Sequence, residues 1–386
     1  MYEPFPGNYI WNLGANLALI DGGNHGEIDI ACRPIREAAE KGADASSAAY
    51  FDSWLRVADQ LTRNAEADEA AGRNWSAAAK YKRASGYYLS AERLQSRDYP
   101  PRWAAYQKGL DLFRKFVALD GANVEFVEIP YEGKSYPALF VKAPAAADGP
   151  APCVVSCNGL DSMKEQIFGN GIAQALNRRG VSCLLLDQPG TGEALRQRKL
   201  HGRHDSEAWA TPALEYLLTR DDVDPKRIGM HGLSLGGYYA PRAAAMEPRF
   251  SLCTVMGANH NWGEMQKRRL AREGENPVPH YWGHVMWVFG KETLDDFMAW
   301  APSMSLNGVV EKIKAPFLVT HGEGDRQIPL EYAHQSFDQA LNSAHRQLRI
   351  FTKQDFEIEH CGADNGTVAR DFIADWIAEQ FGCQFG

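Results

Sequence analysis

Arg227-Ile228-Gly229-Met230-His231-Gly232-Leu233-Ser234-Leu235-Gly236-Gly237 is the stretch on which the reading of this chain turns. Its first five residues form a strand, the next five spell Gly-x-Ser-x-Gly, and a helical pattern follows from Gly236 to Met246. A strand that turns sharply into a helix on this motif lifts the serine hydroxyl above the edge of a sheet, where it can act as a nucleophile. The motif alone also fits an ordinary tight strand-to-helix turn. What lies downstream separates the two.

The run Phe317-Leu318-Val319-Thr320-His321-Gly322-Glu323-Gly324-Asp325 is an apolar strand ending in a turn, with Asp325 at the strand's carboxyl end. After the next strand, Glu357-Ile358-Glu359-His360-Cys361-Gly362 puts a histidine on a loop before the last helix. Taken singly, Asp325 reads as a turn former and His360 as a surface loop residue. Taken together, Ser234, Asp325 and His360 follow the chain order of α/β-hydrolases. A serine hydroxyl attacks poorly until a histidine accepts its proton, and a carboxylate holds that imidazole in the right tautomer and stabilises its cation. The oxyanion formed on attack needs backbone N–H donors. One is expected from Leu235, directly after the nucleophile. The other is expected from the turn Asn158-Gly159-Leu160-Asp161 after the strand ending at Cys157, with Leu160 as the donor.

Outward from these residues the pattern is strand, helix, strand. Strands are predicted near Cys153–Cys157, Val181–Asp187, Arg227–His231, Leu252–Gly257, Pro316–His321 and Leu348–Thr352. Helices are predicted near Glu165–Arg179, Glu207–Arg220, Gly236–Met246, Glu331–Leu341 and Val368–Phe381. Regular alternation implies a mostly parallel central sheet with helices on both faces. A hairpin around Glu132-Gly133, with arms Val124–Pro130 and Ser135–Lys142, precedes it. Residues 260–310 break the rhythm and read as a cap inserted over the carboxyl ends of the strands, where such sheets bind ligands. Before about residue 121 the pattern is helical. Tyr50, Trp54, Val57 and Leu61 share one face, and Trp75, Ala78, Tyr81, Ala84 and Tyr88 form the next stripe, after a stop at Gly72 and a cap at Asn74. A third helix after Pro100-Pro101 turns Trp103, Tyr106, Leu110, Phe113 and Val117 inward. The expected organisation is a helical N-terminal lid domain, 1–121, and a catalytic domain, 122–386.

The composition of the 386 residues excludes several classes. Hydrophobic residues at 45% and charged residues at 23% are ordinary globular values. Lys and Arg number 41 against 49 Asp and Glu, a net charge of −8, which argues against a nucleic-acid partner because phosphate neutralisation needs a basic face. No apolar run approaches the roughly 18 residues of a membrane span, and mean hydropathy is −0.40. The first 19 residues lack the basic start of a secretory signal. The seven cysteines include Cys153, Cys157 and Cys183 inside apolar strands, where a thiol packs as a small hydrophobe. No Cys-x-x-Cys or His-Glu-x-x-His spacing offers metal ligands. The expectation is a cytoplasmic protein with no metal, no cofactor and no membrane partner.

Four segments carry a family resemblance: Asn158–Glu165, Leu186–Glu193, Gly232–Tyr238 and Glu247-Pro248-Arg249. They are similar to the corresponding segments of the α/β-hydrolase family of 2,6-dihydroxypseudooxynicotine hydrolase and of the fungal hydrolases that shorten polyketide naphthopyrones. The resemblance spans most of residues 120–386, and the helical N-terminal region fits the family's extra domain. It implies hydrolysis of a carbon–carbon bond beside a ketone on an aromatic or polyketide-like small molecule, and a homodimer. It also implies an acidic residue after the strand that follows the nucleophile helix. That residue is Glu264 here, with His260 beside it as a second substrate-binding candidate. His260 and Asn261 stand where the family more often has an aspartate or an aromatic. A carboxylesterase, amidase or peptidase would use the same three residues, and a non-catalytic scaffold on a hydrolase fold is the reading from another class.

Overall fold

Continuous apolar runs and alternating runs take different places in this molecule. The computed structural model describes residues 1–41, 46–147, 149–272 and 278–383. The chain divides into two units, one of residues 1–123 with 274–284 and one of 124–273 with 285–386.

The first unit is helical: α1 (Tyr9–Ile20), α2 (His25–Glu40), α3 (Ser47–Ala70), α4 (Asn74–Arg93) and α5 (Pro101–Asp120). Helix α4 packs against both α3 and α5. Tyr50, Trp54, Val57 and Leu61 are buried on α3, and Ala78, Tyr81, Ala84 and Tyr88 on α4. Three expectations fail, two tryptophans and a cap. Trp75 is 80% exposed and Trp103 37% exposed. The buried stripe of α4 runs through Ala77, Ala78, Tyr81, Ala84 and Tyr88, and at 3.6 residues per turn Trp75 lies roughly 120° from its centre. Trp103 lies off its own stripe in the same way. Asn74 is the first residue of α4 rather than its cap, which is Arg73 without a side-chain bond.

In the second unit the strands are β1 (Val124–Tyr131), β2 (Lys134–Val141), β3 (Ala151–Cys157), β4 (Ser182–Leu186), β5 (Val223–Leu233), β6 (Cys253–Met256), β7 (Phe317–Gly322) and β8 (Arg346–Phe351). They form one sheet in the order β1-β2-β4-β3-β5-β6-β7-β8. The hairpin strand β1 pairs antiparallel with β2, and β2 with β4; every other pairing is parallel. Residues Glu132 and Gly133 turn the hairpin with φ of 47° and 73°, the two positive values that a tight hairpin turn of matching twist requires. Strands β3 and β4 are buried at every position, as their unbroken apolar runs demand. Helices on both faces cover the sheet: α6 (Lys164–Gly169), α7 (Ile172–Arg178), α8 (Gly192–Arg196), α9 (Glu207–Leu218), α10 (Gly236–Met246), α14 (Glu331–Gln339) and α15 (Val368–Gln380). This is the α/β-hydrolase fold. The helix expected over 165–179 is instead two short ones, because Gly171 between them adopts φ +86°.

The 260–310 interval contains α11 (Trp262–Ala271), α12 (Tyr281–Val288) and α13 (Leu294–Trp300); its residues 273–277 lie outside the described residues. Trp262 meets Phe297 edge to face at 5.8 Å, and Phe289 meets Trp300 at 4.6 Å, so these aromatics form a small core of their own. Strand order reverses between β3 and β5. The crevice at such a reversal is where ligands bind in open α/β sheets, and both Leu160 and Ser234 follow these two strands.

Candidate active site

Ser234 leaves β5 with φ +57°, a left-handed backbone that a serine adopts only under constraint. The constraint is the closeness of the turn to its surroundings. A methyl group on Gly232 would lie 2.1 Å from the Gly236 carbonyl oxygen, and one on Gly237 would lie 2.2 Å from that of Gly257. Only glycine fits at either place. The Ser234 amide donates to the Met256 carbonyl at 2.9 Å, and the Gly237 amide donates to the Ser234 carbonyl at 2.8 Å, which closes the turn.

Asp325 stands three residues beyond β7. Its Oδ1 accepts from the amides of Gln327 at 2.7 Å and Ile328 at 2.9 Å, and its Oδ2 lies 2.8 Å from His360 Nδ1. His360 Nε2 lies 2.8 Å from Ser234 Oγ. A carboxylate can only accept, so Nδ1 carries the proton and Nε2 is left bare to take the serine's. The Asp325 side chain is 1% exposed and that of His360 10% exposed. Burial disfavours charge on both. For Asp325, the His360 charge and hydrogen bond prevail over burial and hold its carboxyl below the usual range. For His360, burial opposes the cation, and the charge and hydrogen bond of Asp325 outweigh it, leaving the imidazole well above its ordinary value. The structure therefore brings Ser234, His360 and Asp325, drawn from positions 126 and 35 residues apart, into one chain of hydrogen bonds.

The His360 loop is held from several sides. Asp364 accepts from the Ile358 and Glu359 amides at 2.8 and 3.1 Å, and Arg326 pairs with Glu359 at 2.6 Å. Cys361, at φ +49°, places Sγ 3.2 Å from the Met256 carbonyl and 3.6 Å from His360 Nε2. Sequence reasoning passed over two more residues behind this chain. His321 Nε2 donates to the Ile328 carbonyl at 3.0 Å and lies 3.6 Å from Asp325 Oδ2, so it pins the turn whose amides hold the carboxylate. Burial lowers its pKa against the opposing charge of Asp325. Buried Glu357 accepts from Val368 and Ala369 at the start of α15. The only sequence signal for His321 was its spacing of four from Asp325.

The expected oxyanion donors lie on the turns that follow β5 and β3. The Leu235 amide follows Ser234 directly. A methyl group on Gly159 would lie 3.0 Å from Ser234 Cβ and 3.3 Å from its Oγ, so the 158–161 turn lies against the serine. The Gly159 amide is spent on Ser162 Oγ at 3.1 Å. Among the described residues the amides of Leu160 and Leu235 donate to no backbone carbonyl.

The two substrate-binding candidates each have partners of their own. His260 is fully buried, with Nδ1 3.0 Å from Ser336 Oγ and Nε2 3.0 Å from Asn307 Oδ1. Both ring nitrogens join the start of the 260–310 segment to its end and to α14. Glu264 pairs along its own helix with Lys267 at 3.9 Å and Arg268 at 3.6 Å, and its side chain is 40% exposed. Among the described residues no group of three or more His, Cys, Asp or Glu side chains is placed to hold a metal ion, and no helix is long and apolar enough to cross a membrane.

Comparison with known proteins places the chain among the α/β-hydrolases. Residues 170–384 match the prolyl oligopeptidase family, and residues 47–267 match the esterase FrsA-like family. The chain is 30% identical over 380 residues to the hydrolase LUC6 of a Fusarium species, covering 88% of this chain and 89% of that protein. It is 27% identical over 334 residues to 2,6-dihydropseudooxynicotine hydrolase of Paenarthrobacter nicotinovorans, covering 85% and 83%. The crystal structure of 2,6-dihydroxy-pseudo-oxynicotine hydrolase superposes with a TM-score of 0.74 at 23% identity, covering 94% of this chain and 95% of that one, a likeness of fold.

Proposed function

The chain belongs to the α/β-hydrolase family of LUC6 and 2,6-dihydropseudooxynicotine hydrolase, within the prolyl oligopeptidase group, and on that premise we propose a serine hydrolase that cleaves a carbon–carbon bond beside a ketone. The observation that carries this reading is the hydrogen-bonded chain from Ser234 through His360 to Asp325. Ser234 Oγ attacks the ketone carbonyl while its proton passes to His360 Nε2. The resulting oxyanion accepts from the amides of Leu235 and Leu160. The carbon–carbon bond then breaks, its electron pair stays on the departing carbon, and His360 returns the proton there. Water hydrolyses the acyl-serine with His360 again as base.

A bare carbanion is too poor a leaving group for this step. The departing carbon therefore belongs to a phenolic or hydroxypyridine ring, or to a β-dicarbonyl, that is protonated at carbon through its tautomer. The substrate class is an aromatic or polyketide-like small molecule. The FrsA-like match favours a second reading, ester hydrolysis by the same residues. Purified protein assayed with p-nitrophenyl acetate beside an acylated polyhydroxybenzene separates them. Release of the polyhydroxybenzene and the carboxylic acid is expected; ester turnover with no ketone cleavage overturns the carbon–carbon reading.

Three lesser parts of the reading have their own tests. A homodimer should show a solution mass near twice the 42.9 kDa of the chain. Cytoplasmic placement should appear on fractionation of the source cells. The lid role of residues 1–121 requires that deletion of 1–119 impair turnover.

A further inference from the structure

Two of the segments that carry the family resemblance, 158–165 and 186–193, contain neither Ser234, Asp325 nor His360, and the structure ties them to each other. The Gln188 side chain makes a two-way pair with the backbone of Asn158: Oε1 accepts from its amide and Nε2 donates to its carbonyl, both at 3.1 Å. Asn158 Nδ2 donates to the Leu186 carbonyl. Six residues on, the Lys164 amide donates to Asp187 Oδ1 at 2.9 Å. The turn is thus stapled at both ends to the segment after β4, and Leu160 lies between the staples.

Beneath the second staple is a buried charge cluster. Lys164 Nζ lies 2.8 Å from Glu165, 3.0 Å from Asp187 and 2.5 Å from Glu193, and all four side chains are at most 6% exposed. Asp187 Oδ2 also accepts from the Glu193 amide at 2.8 Å. A methyl group on Gly192 would sit 2.0 Å from the Asp187 carboxylate, which is why the 186–193 segment has a glycine there. All three carboxylates share the one ammonium of Lys164. Burying ionised groups costs stability, and burial, with the Asp187 and Glu193 charges adding to it against Lys164, pushes the Glu165 carboxyl upward. The arrangement is costly as a pure stabiliser, and what it holds is the turn lying against Ser234.

We propose that Lys164, Asp187 and Gln188 are positioning residues for the oxyanion: they hold the 158–164 turn so that the Leu160 amide points at the carbonyl oxygen Ser234 attacks. The proposal rests on Ser234 being the nucleophile. Because a positioned donor acts on the tetrahedral adduct more than on bound substrate, loosening the turn lowers kcat and leaves KM nearly untouched.

The test compares Gln188→Leu, Lys164→Met, Lys164→Arg and Ser162→Ala with wild type, using p-nitrophenyl acetate turnover, fluorophosphonate labelling and inhibition by an aryl trifluoromethyl ketone, which forms a tetrahedral serine adduct. Gln188→Leu is expected to lower kcat by about 10²-fold, to weaken the ketone inhibitor in the same proportion, and to change KM little; Lys164→Arg should recover part of what Lys164→Met loses. If Lys164→Met does not fold, the uncharged Gln188→Leu and Ser162→Ala carry the test. A folded Gln188→Leu variant with wild-type kcat and inhibitor affinity overturns the proposal, as does a change in KM alone. A wild type that resists the fluorophosphonate, or a Ser234→Ala variant that keeps turnover, overturns the nucleophile reading and the proposal with it.

Discussion

Each unit of this molecule buries a cation, and the two burials are unlike. In the helical unit, Arg102 in the first turn of α5 donates through Nε at 2.9 Å to Glu92 near the end of α4, and through a second nitrogen to the Gln95 carbonyl at 2.6 Å; both charged side chains are fully buried. The two partners are ten residues apart, and the pair fastens a helix end to a helix start. In the sheet unit, Lys164 meets three carboxylates from two segments, and the structure it holds leads to Ser234. The same chemistry serves stability in one place and geometry in the other. What distinguishes them is the path to a reacting atom.

The largest expected effect tests whether there is a reacting atom at all. Ser234→Ala should remove about 10⁶-fold of kcat, by analogy with other serine hydrolases, while leaving the melting temperature near wild type. Turnover and fluorophosphonate labelling measure it. If turnover survives in this variant, the sheet unit's charges have nothing to aim at and the contrast collapses. The next effect tests the other side. Arg102→Met leaves the Glu92 carboxylate buried without that cation and should cost about 3–5 kcal/mol in denaturant unfolding, whereas Arg102→Met with Glu92→Leu should recover most of the loss. Protein of either kind that remains folded should still be labelled at Ser234. A double variant as unstable as the single one would mean the pair does more than fasten the two helices.

A pH profile sharpens the sheet-unit half. His360 works as a base only when neutral, and Asp325 holds its pKa above the ordinary value of about 6.5 against the opposing effect of burial. Activity should therefore rise with pH, and the midpoint of the acid limb of kcat/KM should lie above about 6.5, with a tenfold fall per pH unit below it. Asp325→Asn should lower kcat by about 10⁴-fold, because the imidazole loses its preferred tautomer. An acid limb centred below 6 would show that Asp325 does not govern His360.

Much of this organisation was legible in the sequence, for definite reasons. Buried parallel strands such as Val154–Cys157 are unbroken apolar runs, and the Ser234 turn needs glycines at positions that sequence alone displays. The α3 and α4 stripes were legible because their packing is local and periodic. What escaped was set by contacts distant in sequence. The hydrogen bonds of both His260 nitrogens go to Asn307 and Ser336, 47 and 76 residues away. The Lys164 cluster reaches 23 and 29 residues along the chain, and no period links those positions. Trp75 was misplaced because a single aromatic beside a stripe does not report which edge of the stripe is buried. The break at Gly171 was missed because one glycine in a helical pattern reads equally well as helix interior.

Glu357 offers the finest cut, since it has traits of both burials. It has no cationic partner in hydrogen-bond reach among the described residues, its Oε2 accepts from the Val368 and Ala369 amides at 3.0 and 3.2 Å, and its Oε1 is buried without a hydrogen-bond partner. It also begins the loop that carries His360. Burial pushes its carboxyl up to about 7 in spite of those two donors. Between about 4.5 and 7 the unfolded chain has released this proton and the native chain has kept it, so this group's contribution to stability falls as pH rises through that window and is level below it. Glu357→Gln removes the titration and keeps an acceptor for the two amides. Relative to wild type it should gain on the order of 1–3 kcal/mol between pH 4.5 and pH 8, read as a melting-temperature gap that grows with pH. If Glu357 serves the fold alone, as Glu92 does, kcat and the acid limb of His360 stay where they were. A shifted acid limb in a stably folded variant would place Glu357 with Lys164 instead, among the buried charges that aim the site.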